Sequence, residues 1–428
     1  MEKLVENLKE MQTLSYEKVL DKIENSRRFG NLYGYDITKI VLEKLGHPEK
    51  TFKFVQIAGT NGKGSTASAI TKIMEQTGEK IGLFTSPHLI DFEERIRIGD
   101  EQISKDDVKR LGNYLLSIDF GVNLTMFDYC LAMAVLYFKE KNVKFAVIET
   151  GLGGDHDSTT ALGTPEVAVL TKIGFDHMQI LGNTLKEIAT SKCGIIKANS
   201  KVVSQIQEPE AKEVIEFTVN NPVNEVKKYR EVTIEEKEKI RHLKRKLLGE
   251  YQLENLATAA VTCQELLSDL GYETNEIEKF IEKGVQQTTW PGRMQILNET
   301  PFLMVDGAHN GHGVRALRDS LASLYPGEKF HFIMGVLADK DYEKMVDMLI
   351  PLAVDFTTFT PESTRALQGE NLRNYISSHG CIARSCEDIE KEINKFLTSN
   401  TNEDKTQKTI AFGSLYFIGE IEKIMKKH

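Results

Sequence analysis

The sequence predicts an α/β protein in two parts: an N-terminal domain with a mostly parallel sheet behind a glycine loop, and a C-terminal open α/β domain. Three observations lead there. Short apolar runs of buried-strand character (52–58, 144–149, 167–171) alternate with stretches of helical spacing. A glycine turn, GTNGKGST (59–66), joins the first run to a helix-compatible segment. A second strand-and-helix series begins at residue 301, after Pro291 and Gly292 interrupt regular structure. Alternation of this kind builds a parallel sheet covered on both faces, and 428 residues exceed one typical domain.

Taken in order, residues 1–50 read as helices around a loop, SRRFGNLYGYD. The run ending at Ala58 is the first strand, and KIGLFTS (80–86), after Gly78, is the next. ERIRIG (94–99) alternates arginine with isoleucine, as an edge strand or hairpin arm with outward charges would. Phe127, Leu131, Val135 and Phe138 have helical spacing over 126–141, and the strands KFAVIE (144–149) and VAVLT (167–171) follow. Thr184–Lys197 reads as a helix with Thr184 as its N-cap. Residues 207–247 are highly charged and read as surface helices or an antiparallel edge; 251–287 reads as helical. Beyond 301, strands are expected at 302–306, 330–336, 354–360, 381–385 and 409–413, with a last helix near 415–427. The expected domains are 1–293 and 294–428.

Apolar content of 40 % and charged content of 27 % suit a soluble globular chain. A net charge of −9 argues against broad nucleic-acid binding, though not against a local pocket for a small anion. Five cysteines without C-x-x-C spacing suit a reducing cytoplasm. No apolar signal segment or membrane span is visible, so a cytoplasmic protein without a membrane partner is expected.

The glycine loop is the strongest chemical signal. A strand, a glycine turn and a helix start make an anion cradle from backbone N–H groups and the helix dipole, and Lys63 adds a point charge. The spacing differs from the common P-loop, because Gly59 precedes Gly62 by three residues and Gly64 follows Lys63. Strand ends supply further candidates. Glu149 closes KFAVIE, at the carboxyl edge where such sheets bind ligands, and with a nucleotide phosphate it would suffice for magnesium. Asp176 and His177 follow VAVLT; Lys192 and Lys197 lie five apart and do not share a simple helix face. Pro87, His88, Arg95 and Arg97 belong either to a charged hairpin or to a loop that brings cations to an anionic substrate. Asn255, Arg293, Asp306 and His309 sit in polar turns of the second half, where DGAHN reads equally as a capped helix start.

Together, GTNGKGST, TSPHL (85–89), ERIRIG, ETGLGG (149–154), TKIGFDH (171–177), LGNT (181–184), SKCGIIK (191–197), YQLEN (251–255), WPGR (290–293), DGAHN (306–310), ADKD (338–341) and GSLY (413–416) resemble, in order, the Mur ligase family, and within it the folylpolyglutamate and dihydrofolate synthase group. The resemblance implies a P-loop-like ATPase domain joined to a Rossmann-like domain, with the active site between them. It implies ATP at Gly59, Thr60, Asn61, Gly62, Lys63, Gly64, Ser65 and Thr66, and at Asn255, Arg293, Asp306 and His309 across the cleft. It implies magnesium at Ser86, Glu149 and His177, and catalytic roles for Lys63, Lys192 and His177, with Lys192 a candidate for carbamylation. Substrate contacts are expected at Pro87, His88, Arg95, Asp155, Ser414 and Tyr416. The implied reaction adds L-glutamate to a tetrahydrofolate or other folate derivative through an acyl phosphate, in a monomer with no nucleic-acid partner. The alternatives are a bifunctional enzyme that also uses dihydropteroate, and a non-catalytic nucleotide switch. A UDP-muramoyl-peptide ligase is disfavoured, because only 58 residues precede Gly59. The chain departs from the family's common G-G-R-x-D-A-T-N at GGDHDSTT, with Asp155 for arginine and Thr160 for asparagine, so the arginine's role does not carry over.

Overall fold

The computed structural model describes residues 13–26, 33–398 and 407–427. Residues 1–12 of the expected helices and 27–32 of the expected loop lie outside the described residues, and the end of that loop, Gly34–Asp36, instead opens the helix Gly34–Lys44. The chain divides into two compact units: 1–88, 92–243 and 255–287 in the first, and 89–91, 244–254 and 288–428 in the second.

The first unit carries an eight-stranded sheet of β1 (Lys53–Ala58), β2 (Ile81–Phe84), β3 (Ile96–Ile98), β4 (Glu101–Gln102), β5 (Phe145–Glu149), β6 (Val167–Leu170), β7 (Lys201–Ser204) and β8 (Lys228–Glu231). Their order is β4-β3-β2-β5-β1-β6-β7-β8. All neighbours are parallel except the β2–β3 and β3–β4 pairs, so ERIRIG does form a hairpin arm at one edge. The central strands are buried on both faces, which is why they read as continuous apolar runs. Helices Lys105–Ser117 and Met126–Glu140 help cover one face around Leu111, Leu131, Val135 and Phe138. Ile188, Ile195, Val202 and Ile215 belong to a separate cluster around β6 and β7.

Some expectations need correction. β7 lies just before the charged 207–247 stretch and was not anticipated, because its four residues include only two apolar ones. β8 is a parallel edge strand rather than an antiparallel one. Its sequence, KYRE, is polar because ion pairs hold it: Lys228 and Arg230 converge with Lys201 on the buried Glu265 carboxylate at 2.7, 3.2 and 3.3 Å. The helix at 105–117 was also missed, although Ser104 caps it by accepting from Asp107 N–H. The long helical stretch is two helices, Glu250–Asp269 and Thr274–Gln287, separated at Gly271, whose φ of 85° only glycine adopts readily.

The second unit carries a six-stranded sheet of β9 (Gln295–Glu299), β10 (Phe302–Asp306), β11 (Phe330–Met334), β12 (Ala353–Phe359), β13 (Ile382–Cys386) and β14 (Lys408–Phe412). The order is β13-β12-β11-β14-β10-β9, and only β9 runs antiparallel. β9 was not anticipated; as a half-exposed edge strand it lacks an apolar run. Phe330, Phe332, Phe356 and Phe412 pack at its centre. Among the described residues no helix is long and apolar enough to cross a membrane.

Candidate active site

The glycine loop leaves the carboxyl end of β1. Gly59 has a φ of 156°, and a Cβ there would lie 1.9 Å from Thr171 Oγ1, at the exit of β6. Thr60 and Asn61 donate their backbone N–H groups to Lys172 O at 2.9 and 3.3 Å, and Thr60 Oγ1 is bonded to Gly174. Gly62 is left-handed, with a φ of 89°, and caps the helix Lys63–Met74. A Cβ on Gly62 would lie 2.2 Å from Asn255 Oδ1. Two of the three glycines are therefore required by close approach of other chain segments. The loop is clamped between the β6 exit and the helix Glu250–Asp269. Lys172 O thus engages the Thr60 and Asn61 N–H groups of the loop, and the first turn of the helix that follows has N–H groups without an intrahelical acceptor.

Two lysines meet at one carbonyl. Lys63 Nζ donates to Gly59 O at 3.2 Å and Thr60 O at 3.4 Å, and lies 3.9 Å from Glu149 Oε1. Lys192 Nζ donates to the same Gly59 O at 2.8 Å. Lys192 is 5 % exposed. Burial, reinforced by the Lys63 charge and opposed by Asp176 and Asp157, brings its pKa down to about 7. A solvated surface lysine, the ordinary reading of a helical lysine, is thus not what the fold makes of it.

The helix carrying Lys192, Leu185–Cys193, starts at a capping box between Thr184 and Glu187. Its end interlocks with the GGDHDSTT loop. A Cβ on Gly154 would lie 2.7 Å from the Ser191 and Lys192 carbonyls, and one on Gly194 would lie 2.3 Å from Asp155 Cα. Asp155 N–H donates to Ser191 O at 3.0 Å, and its carboxylate accepts from Ser191 Oγ at 2.8 Å. Asp155 therefore braces the Lys192 helix. Asp157, buried in the same loop, accepts from Leu152 N–H at 2.8 Å and Thr159 N–H at 3.0 Å, and burial pushes its pKa up.

Glu149 ends β5, is buried, and accepts from Ser86 N–H at 3.2 Å. His177 is left-handed, with a φ of 50°, and its exposed ring has Nε2 4.0 Å from Asp176 Oδ2. Among the described residues no group of three or more His, Cys, Asp and Glu side chains could hold a metal. A magnesium ion that keeps waters and binds phosphate needs only one or two protein oxygens. The buried carboxylate of Glu149, beside Ser86 and facing the loop lysine, fits that demand. His177, a nitrogen donor, fits it less well.

Arg95 is buried rather than outward: its Nε donates to His88 Nδ1 at 2.8 Å. Pro87 stands between Ser86 and His88 on a cis peptide bond. Asn255 belongs to the first unit, at the glycine loop, and Arg293, Asp306 and His309 belong to the second.

Those three come together in the second unit, at the carboxyl end of β10. Asp306 accepts from Tyr251 Oη and Met294 N–H at 2.9 Å and from Ala308 N–H at 2.8 Å. Burial raises its pKa, against the pull of Arg293. The Arg293 guanidinium lies over Gly307, where a Cβ would approach Nη1 to 2.0 Å. His309 Nδ1 is bonded to Gly307 O at 2.8 Å. Beyond the neighbouring β14, Ser414 precedes the helix Leu415–Met425; its Oγ is buried with no hydrogen-bond partner, and Tyr416 is exposed.

Sequence reasoning gave no role to Thr171, Lys172 and Tyr251, which lie within TKIGFDH and YQLEN, and passed over Gln205. The strand-end rule that marked Glu149 and His177 also applies to Gln205, but only once β7 is recognised as a strand.

The Mur ligase middle domain model matches residues 57–263, and the Mur ligase glutamate ligase domain model matches 292–410. The chain is 31 % identical to the dihydrofolate synthase/folylpolyglutamate synthase of Bacillus subtilis, covering 96 % of this chain and 99 % of the relative. It is 30 % identical to the folylpolyglutamate synthase of Lacticaseibacillus casei, again over 96 % and 99 %. A crystal structure of the bifunctional folylpolyglutamate synthase/dihydrofolate synthase of Yersinia pestis, complexed with AMPPNP and Mn ion, shares the fold at a TM-score of 0.82 and 23 % identity, over 97 % of this chain and 98 % of that one.

Proposed function

We propose, on the premise that the chain belongs to the Mur ligase family in its folylpolyglutamate and dihydrofolate synthase group, that it adds L-glutamate to the glutamyl carboxylate of a folate in an ATP-dependent ligase reaction. The observation that carries the reading is the convergence of Lys63, Lys192 and Glu149 on a glycine loop at the carboxyl edge of a parallel sheet.

A carboxylate is a poor acyl electrophile, so one of its oxygens first attacks the γ-phosphorus of ATP. ADP leaves, and an acyl phosphate remains. The amine of glutamate attacks the acyl carbon, phosphate departs, and the amine loses a proton as the amide forms. Positioning and charge neutralisation are the protein's task in such chemistry. The first turn of Lys63–Met74 presents N–H donors to phosphate. Lys63 exchanges the Gly59 and Thr60 carbonyls for phosphate oxygens. A divalent ion, held by Glu149 and Ser86 with His177 as the third expected contact, neutralises charge on the transferring phosphoryl group. Lys192, about half neutral near pH 7, has an amine able to take up carbon dioxide; the resulting carbamate turns a cation into an anion. Arg293, Asp306 and His309 complete the nucleotide contacts, and Pro87, His88, Arg95, Asp155, Ser414 and Tyr416 contact the acceptor or the amino acid. Residues 1–293 carry the ATP loop and 294–428 the ligase domain of a cytoplasmic monomer.

The test is incorporation of radiolabelled glutamate into tetrahydrofolate by purified protein with ATP and magnesium. Label in the folate fraction, with ADP released in step, is the expected result; no label with any pteroyl acceptor overturns the reading. The name of the Bacillus subtilis relative favours a second activity, on dihydropteroate, which the same assay reads with that acceptor.

A further inference from the structure

Gln56 stands in the middle of β1, between Val55 and Ile57, and is the one buried polar residue of that strand. Its amide reaches the GGDHDSTT loop: Nε2 donates to Thr159 Oγ1 at 3.0 Å and to Thr160 Oγ1 at 2.8 Å. Both hydroxyls pass their single hydrogen onward, Thr159 to Asp157 Oδ1 and Thr160 to Gly154 O at 2.6 Å. They can therefore only accept from Gln56, which fixes the amide with its nitrogen toward the loop. Its Oε1 is left buried without a hydrogen-bond partner in the protein. Two hydrogen bonds of about 1 kcal/mol each are set against about 1–3 kcal/mol for the unpaired oxygen, so the amide adds little net stability.

What the amide does is hold a loop. Gly154, at the end of the Thr160 bond, packs against the Ser191 and Lys192 carbonyls, where a Cβ would come within 2.7 Å. Asp155, next to it, accepts from Ser191 Oγ at 2.8 Å. A path of direct contacts thus runs from β1 through Thr160 and Gly154 to the end of the Lys192 helix. Position 160 is also where the common family pattern carries asparagine; here the residue is threonine, and the amide comes from β1. We propose that Gln56 is a positioning residue for glutamate transfer: through Thr160 it seats the GGDHDSTT loop on the sheet, and with it Asp155 and the Lys192 helix end. The inference rests on the reading that the chain is a folate glutamate ligase. Neither bond of the amide goes to the glycine loop, so its loss should fall on turnover and not on nucleotide affinity.

The experiment measures melting temperature, magnesium-AMPPNP affinity by calorimetry, and kcat of glutamate incorporation for wild type, Gln56→Met, Thr160→Val, their double variant, Thr160→Ser and Thr262→Val. Gln56→Met should melt within about 4 °C of wild type and bind AMPPNP within about twofold, while kcat falls about tenfold, as loss of one hydrogen bond in a positioning path does. Thr160→Val should lower kcat as far, and the double variant no further within about twofold, because both break one path. Thr160→Ser keeps the hydroxyl and should keep wild-type kcat within about twofold. Thr262→Val removes a buried hydroxyl bonded to Thr258 O of its own helix at 2.8 Å, and should leave kcat unchanged. Wild-type kcat in Gln56→Met, an AMPPNP affinity that falls as far as kcat, multiplying losses in the double variant, or an equal kcat loss in Thr262→Val each overturns the proposal while the ligase reading stands. A wild type that incorporates no glutamate overturns that reading, and this one with it. Should Gln56→Met fail to fold, Thr160→Val leaves β1 untouched, and its comparison with Thr160→Ser decides in the same way.

Discussion

Replacing Gly194 with alanine tests whether the interlock at the helix end places Lys192. Gly194 has an ordinary helical φ of −59°, so alanine carries no backbone penalty and the whole effect is steric. The new Cβ would lie 2.3 Å from Asp155 Cα and 2.4 Å from its N and Cβ, whereas ordinary contact begins at 3.4 Å. Two backbone segments must therefore separate by about 1.1 Å, and neither is the end of a flexible side chain. Overpacking of this kind costs about 1–3 kcal/mol. At roughly 2–4 °C per kcal/mol, melting should fall by about 2–12 °C. Lys192 stands two residues before the clash, and its 2.8 Å bond to Gly59 O does not survive a displacement of that size along the bond. A misplacement of about 1 Å in a positioned group costs about 100-fold in rate. Gly121→Ala is the control: its φ is 71° and nothing lies within 4 Å of the new Cβ, so it should cost about 1 kcal/mol of backbone strain and leave turnover intact. Thermal melts and glutamate-incorporation rates of the two variants decide the matter. A Gly194→Ala protein that melts and turns over like wild type refutes the reasoning.

Lys63→Ala should abolish ATP-dependent glutamate addition while leaving the melting temperature within a few degrees, since Lys63 is half-buried and bonded to its own loop; wild-type turnover would sink its assignment. The Lys192 pKa, brought down to about 7 from the ordinary lysine range, makes stability depend on pH. Between those values the unfolded chain binds the proton and the folded one does not, so stability rises with pH from about 7 to about 10, by up to about 1.4 kcal/mol per pH unit. Urea unfolding of wild type and Lys192→Met across that range should show the slope only in the wild type; parallel curves would count against it. Glu265→Ala removes the carboxylate on which Lys201, Lys228 and Arg230 converge. It should cost less than the roughly 3 kcal/mol of breaking a fully buried pair, because Lys228 is exposed while Lys201 keeps Asp269 and Arg230 keeps Glu236, and an unchanged urea midpoint would show that β8 is held by other contacts.

Much of the architecture could be read from one dimension. Buried parallel strands are apolar on both faces, so β1, β5, β6, β10, β11 and β14 announced themselves. The glycine loop did too, because a strand, a turn and a helix start are all local features. Two edge strands, β8 and β9, escaped because they are half-exposed and lack an apolar run, and the charges of KYRE looked like a solvated surface until Glu265 was seen paired with them.

The sequence alone determined that strands, loop glycines, Lys63 and Glu149 recur in family order, since these depend on local chemistry and on spacing along the chain. Only the tertiary structure decided what meets what. It sank Lys192 beneath Gly59 O, where loss of water and a neighbouring cation lower its proton affinity. It turned Arg95 inward onto His88, placed Asn255 with the first unit, and aimed the Gln56 amide at Thr159 and Thr160. Burial and charge proximity are properties of three-dimensional neighbours, and residues more than one hundred positions apart, such as Gly59 and Lys192, become neighbours only when the chain folds.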